Sequence, residues 1–151
     1  MSTINIAKRW LAMMAVVISL TACETSSSVE YNIHNVTTDT VIVTFFKSMM
    51  SSPYQGYDII ENDSVTTHYQ ADSCNIARVG PNQHLTIHKQ WSGLYREDEL
   101  IHVWRYIQSI HKGDVEVPAQ QWDNQSAWHH RSQGGGNFEK NESHYYDLWF
   151  R

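Results

Sequence analysis

Several short stretches of this chain alternate apolar and polar residues with a period of two. They include Val29-Glu30-Tyr31-Asn32-Ile33-His34, Leu85 to Trp91, and the closing His144 to Arg151. Successive side chains of a strand point to opposite faces, so this alternation commits a segment to a sheet with one face buried. In the last stretch Tyr146, Leu148 and Phe150 share one face, while Tyr145, Asp147 and Trp149 share the other. A chain ending directly on a strand implies that this strand is tied into a sheet. Leu85, Ile87, Lys89 and Trp91 form another such face, with Lys89 its weak point. Val41 to Phe46 is β-branched and aromatic throughout, which also favours a strand.

Turn residues separate these runs. Asn35 to Asp39 predicts a turn between residues 29–34 and 41–46, an opening hairpin, and Gly80-Pro81-Asn82-Gln83 predicts another between 75–79 and 85–91, a second hairpin. A loop is expected from Ser48 to Gly56, with a weaker strand signal from Ser64 to Tyr69. Residues 96–111 fit both periods; the expectation is a short helical turn near 97–103 running into a strand at about 105–111. The stretch 118–143 is polar, aromatic and Gly-rich and reads as a long loop, within which Trp128 can open a short strand. Six to eight short strands with these separators point to a mainly β fold, an antiparallel immunoglobulin-like β-sandwich with at most one short helix.

The N-terminus sets which residues enter that fold. Residues 10–22, WLAMMAVVISLTA, follow the basic pair Lys8-Arg9 and are too few to cross a hydrocarbon core that needs about 20 residues as a helix. A basic start, a short apolar run and small residues at its end describe a signal peptide. Leu20-Thr21-Ala22-Cys23 resembles the lipobox of bacterial lipoproteins. The resemblance implies that Cys23 receives diacylglycerol, that the chain is cut after Ala22, and that the new amino group is acylated. Glu24, rather than Asp, after the cysteine implies the outer membrane, on its periplasmic or surface side. Residues 1–22 are then the signal peptide, 23–28 a lipidated, Ser/Thr-rich flexible tether, and 29–151 a single domain. The order of turns and the terminal Tyr-rich strand resemble small β-sandwich envelope lipoproteins of unknown activity.

Cleavage leaves 129 residues and removes Lys8 and Arg9, so nine basic side chains face sixteen acidic ones, a net charge of −7 with histidines neutral. That acidity disfavours nucleic acid, which needs a basic surface. With Cys23 lipidated, Cys74 has no partner in its own chain and is expected to be buried in a strand. Asn-X-Ser/Thr triplets start at Asn35, Asn62, Asn124 and Asn141; beside a bacterial lipobox they read as turn asparagines.

Nine histidines invite a metal reading. His84 and His88 are four apart, but in a strand that spacing spans roughly 13 Å, too far for one ion without a bend. His129 and His130 are adjacent and converge only in a loop, with His144 or Asp123 as further candidates. Core packing accounts for Trp91, Trp104 and Trp149, which leaves Trp122 and Trp128, inside the polar stretch, as the candidates for stacking on a sugar or anchoring a protein. Gly-X-Ser-X-Gly, a phosphate-cradling Gly loop and His-Glu-X-X-His are absent from the sequence. The expectation is a non-enzymatic envelope lipoprotein, anchored in the membrane by the lipid on Cys23 and otherwise free of cofactors, that binds an envelope protein or supports an assembly. The alternative is a binder of a small ligand, a glycan or a transition metal.

Overall fold

The computed structural model describes residues 26–46, 56–70, 75–92, 96, 102–134 and 141–151. Their strands are β1 (Ser26–Asn35), β2 (Val41–Phe45), β3 (Gly56–Glu61), β4 (Ser64–Gln70), β5 (Ile76–Val79), β6 (Gln83–Ser92), β7 (Ile107–Lys112), β8 (Val115–Glu116), β9 (His129–Gly134) and β10 (Asn141–Phe150). A six-stranded sheet runs β4-β3-β6-β1-β10-β9 and a four-stranded sheet β5-β2-β7-β8. Mainly β, with two packed sheets, the protein is the expected sandwich. Its strand pairs are antiparallel except β1 with β10, which run parallel from Ser26↔Asn141 to Asn35↔Phe150. No helix among the described residues is long and apolar enough to cross a membrane.

The alternation read from the sequence sorts the large sheet into two faces. Val29, Tyr31 and Ile33 of β1, Leu85 and Ile87 of β6, and Tyr146, Leu148 and Phe150 of β10 point inward and are buried. Opposite them lie Val41, Val43 and Phe45 of β2 with Ala77 and Val79 of β5. Burying each such side chain stabilises the fold by about 1.5–3 kcal/mol, and this apolar layer is what joins the sheets. Tyr31 stacks on Tyr146 at 5.1 Å and meets Trp104 and Trp128 edge-on, each at 5.9 Å.

Pairing departs from the expected hairpins. β1 and β2 belong to different sheets, as do β5 and β6, so the turns at 36–40 and 80–82 are arches that carry the chain across the core. Asn35 shows why. Fully buried, it donates through Nδ2 to the carbonyls of Asp39 and Val79, both at 2.8 Å, and of Gly80 at 3.0 Å. One side chain therefore holds both arches. β3–β4 is a tight hairpin, whose turn residues Asn62 and Asp63 have φ of 50° and 59°, the left-handed pair of a type I′ turn. β3 was missed by the sequence reading, since Asp58 breaks its apolar run.

Other expectations shift in extent. Residues 26–28, assigned to a tether, are the first three residues of β1 and pair with both β6 and β10. Residues 118–143 are not one loop: short 3-10 turns at Ala119–Gln121 and Gln125–Ala127 precede β9, and β10 begins at Asn141 rather than His144. A 3-10 turn at Val103–Tyr106 leads into β7, close to the expected strand. Cys23, Cys74 and residues 97–101 of the expected helical turn lie outside the described residues.

Candidate functional site

The outer face of the six-stranded sheet carries the polar half of the same alternation. Its centre is Asp147 on β10, whose side chain is only 7% exposed. Oδ1 accepts from Asn32 Nδ2 at 3.1 Å and from His34 Nε2 at 3.0 Å, and Oδ2 accepts from Arg131 Nε at 3.0 Å. Asn32 in turn accepts from the Thr86 hydroxyl at 2.7 Å and donates to Glu30 at 3.2 Å. Strands β6, β1, β10 and β9 are thus laced together outside the core. Burial alone would raise the Asp147 pKa, but hydrogen bonds from His34, Arg131 and Asn32 outweigh it and hold the carboxyl at about 2. The ionised carboxylate can only accept, so His34 carries its proton on Nε2.

Two exposed groups are braced by this network. The Trp149 indole, 47% exposed, stacks on the His34 ring at 3.9 Å with 10° between planes. The Arg131 guanidinium lies 3.9 Å over the Tyr145 ring. His84 packs 5.1 Å from His34, and its pKa is pushed down, first by burial and then by the neighbouring imidazole. His88 stands 3.9 Å from Glu30, and His68 bonds Asp58 further along the same face. Beside Trp149, at the Asn35 end of the sheet, opens a cleft of about 510 Å³ lined by Asp39, Lys112, Glu116, Pro118, Gln121 and Arg151 among others.

The residues singled out from the sequence fall elsewhere. Trp122 and Trp128 are buried, at 5% and 4% exposure, and their indole N–H groups donate to the carbonyls of Val117 at 3.2 Å and Trp122 at 2.8 Å. Both pack in the core, with neither ring open for stacking, because the expected polar loop folds over the sheet edge and turns its aromatics inward. His130 and His144 do come together: Nε2 of the first and Nδ1 of the second share a 3.0 Å hydrogen bond on the inner side of β9 and β10, with His130 stacked on Tyr146 at 4.5 Å. His129 is exposed on the opposite face, as adjacent strand residues must be. Among the described residues no three His, Cys, Asp or Glu side chains form a group suited to a metal ion.

Trp149, assigned to the core, is instead exposed, unlike the other tryptophans whose side chains are described. The signal was present: alternation along His144 to Arg151 places it with Asp147, away from Tyr146, Leu148 and Phe150. The Asp147–His34 pair fixes an imidazole as the carboxylate of an acid–base pair does, but among the described residues no hydroxyl is hydrogen-bonded to its second nitrogen. What the face offers is a surface of aromatic, histidine and paired charged side chains held in place by hydrogen bonds and ring stacking. Comparison with protein-family models, curated proteins and solved structures finds no match for this chain.

Proposed function

We propose that this chain is a lipid-anchored lipoprotein of the bacterial cell envelope, without enzymatic activity, whose sandwich binds an envelope protein partner through the outer face of the six-stranded sheet. The lipobox-like Leu20-Thr21-Ala22-Cys23 supports the anchor, and Glu24 after it supports the outer membrane as its place. The observation that carries the binding reading is the half-exposed Trp149 held flat on His34, with Arg131 braced on Asp147 beside it. Tryptophan, tyrosine and arginine dominate interface hot spots, and side chains already fixed in place lose little entropy on docking.

In-cell photo-cross-linking tests this. A photoreactive residue at the exposed outer-face position His88 is expected to give one dominant protein adduct, which disappears when Trp149→Ala is added. The same probe at Arg78, exposed on the other sheet, should give none. Equal adducts from both positions, or an adduct indifferent to Trp149→Ala, would overturn the assignment. The cleft beside Trp149 favours a second reading, a glycan stacked on the indole; oligosaccharides would then quench tryptophan fluorescence, and Trp149→Ala would abolish the effect.

A further inference from the structure

We propose that the sandwich stands on the lipid surface with the end where β1 begins against the headgroups, which keeps its partner-binding face close to the bilayer. This deepens the lipoprotein reading and rests on lipidation of Cys23. Only Glu24 and Thr25 separate Cys23 from Ser26, and three chain steps span at most about 11 Å. Ser26 is no loose end: β1 is the strand between β6 and β10, and Ser26 is in register with Ser92 on one side and Asn141 on the other. Its hydroxyl also donates to Asn141 Oδ1 at 2.8 Å, and that of Ser28 to Ser143 at 3.0 Å. An anchor so close to a central strand holds the β1 end of the sandwich at the bilayer.

At the β1 start, the paired strand residues Ser26, Ser28, Asn141, Ser143 and Gln133 are polar and uncharged, with Glu142 the exception. Asp39, Glu61, Asp63, Asp114 and Glu116 gather at the other end, beyond Asn35 and in the turns that follow β3 and β7. The ten residues of β1 at about 3.3 Å each hold the whole outer face within roughly 45 Å of the bilayer, the tether included.

Full-length lipoprotein, processed in cells and carrying Cys74→Ser, is reconstituted into phosphatidylethanolamine–phosphatidylglycerol vesicles containing a headgroup-nitroxide lipid. A fluorophore is placed at Gln133→Cys, near the β1 start, or at Thr38→Cys, at the far end. The Gln133 label should be quenched several-fold more than the Thr38 label, and a ten-residue Gly-Ser insertion between Glu24 and Thr25 should remove the difference. Equal quenching in protein that floats with the vesicles, or a difference unmoved by the insertion, overturns the seating while leaving the anchor intact. Protein that fails to float with the vesicles overturns the anchor and the seating with it.

Discussion

Asp147 shows how a single side chain converts a polar sheet face into a fixed surface. Its carboxyl is held at about 2 in the fold against an ordinary 3.8, so it is ionised in both folded and unfolded chains above about pH 5 and its stabilisation is then complete. As pH falls from about 5 through 2 the unfolded chain takes up the proton first, and that stabilisation is lost. His84 acts in the same sense at higher pH: with its pKa below 6.5, the unfolded chain is protonated first and stability declines as pH drops under that value. Asp147→Asn should lower the unfolding free energy by roughly 1–2 kcal/mol at pH 7, solvent screening allowed for, and flatten the loss between pH 4 and 2. Urea titrations at pH 7, 5 and 3 on both proteins check this. An unaltered acid limb would show that Asp147 is not the group responsible. Trp128→Ala should cost roughly 3–5 kcal/mol, because it empties a core site against Tyr31; a change within about 0.5 kcal/mol would mean that the indole is a surface platform after all. Sequence composition drew attention to Trp122 and Trp128 through their polar neighbours. Strand alternation was the better guide, and it already placed Trp149 outside.

Among the elements, strands with clean alternation were legible and their partners were not. The period of two fixes which side chains share a face, and Val29, Tyr31 and Ile33 of β1, Leu85 and Ile87 of β6, and Tyr146, Leu148 and Phe150 of β10 all point inward as it requires. Which strands pair depends on whether a turn folds back within a sheet or arches across the core. For the turns at 36–40 and 80–82 that choice is held by Asn35, a residue whose role lies 44 positions away at Val79. Local sequence carries no trace of such a contact. Asn35 was legible only as a turn residue, and its full burial also excludes a glycan there. Asn35→Ala leaves three carbonyls without their donor, which predicts a loss of roughly 2–4 kcal/mol. Hydrogen exchange should show the loss concentrated in amides bordering the two arches, and uniform exchange across the sandwich would contradict this. β9, expected as a short strand opening at Trp128, gave a faint signal for another reason: His129 to Gly134 has no apolar residue, and the strand exists because its backbone completes the edge of β10.

For the whole molecule, the parallel pairing of β1 with β10 brings both ends of the described chain into the middle of one sheet and points the N-terminal side of β1 out of a single end of the sandwich. An anchor at Cys23 would act on that end, with the braced outer face rising from the membrane beside it and the cleft near Trp149 at the top. Neither net charge nor fold class suggests this arrangement. It comes from the register of Ser26, which the Ser-rich composition of residues 26–28 disguised as a tether. The envelope anchor and the seating both depend on the chemistry at Cys23, so the most direct test is mass spectrometry of the N-terminal peptide of protein recovered from the membrane fraction. The account predicts a chain that begins at Cys23 and carries diacylglycerol on sulfur with a further acyl group on its α-amine. A mature chain beginning elsewhere, or an unmodified Cys23, would contradict it.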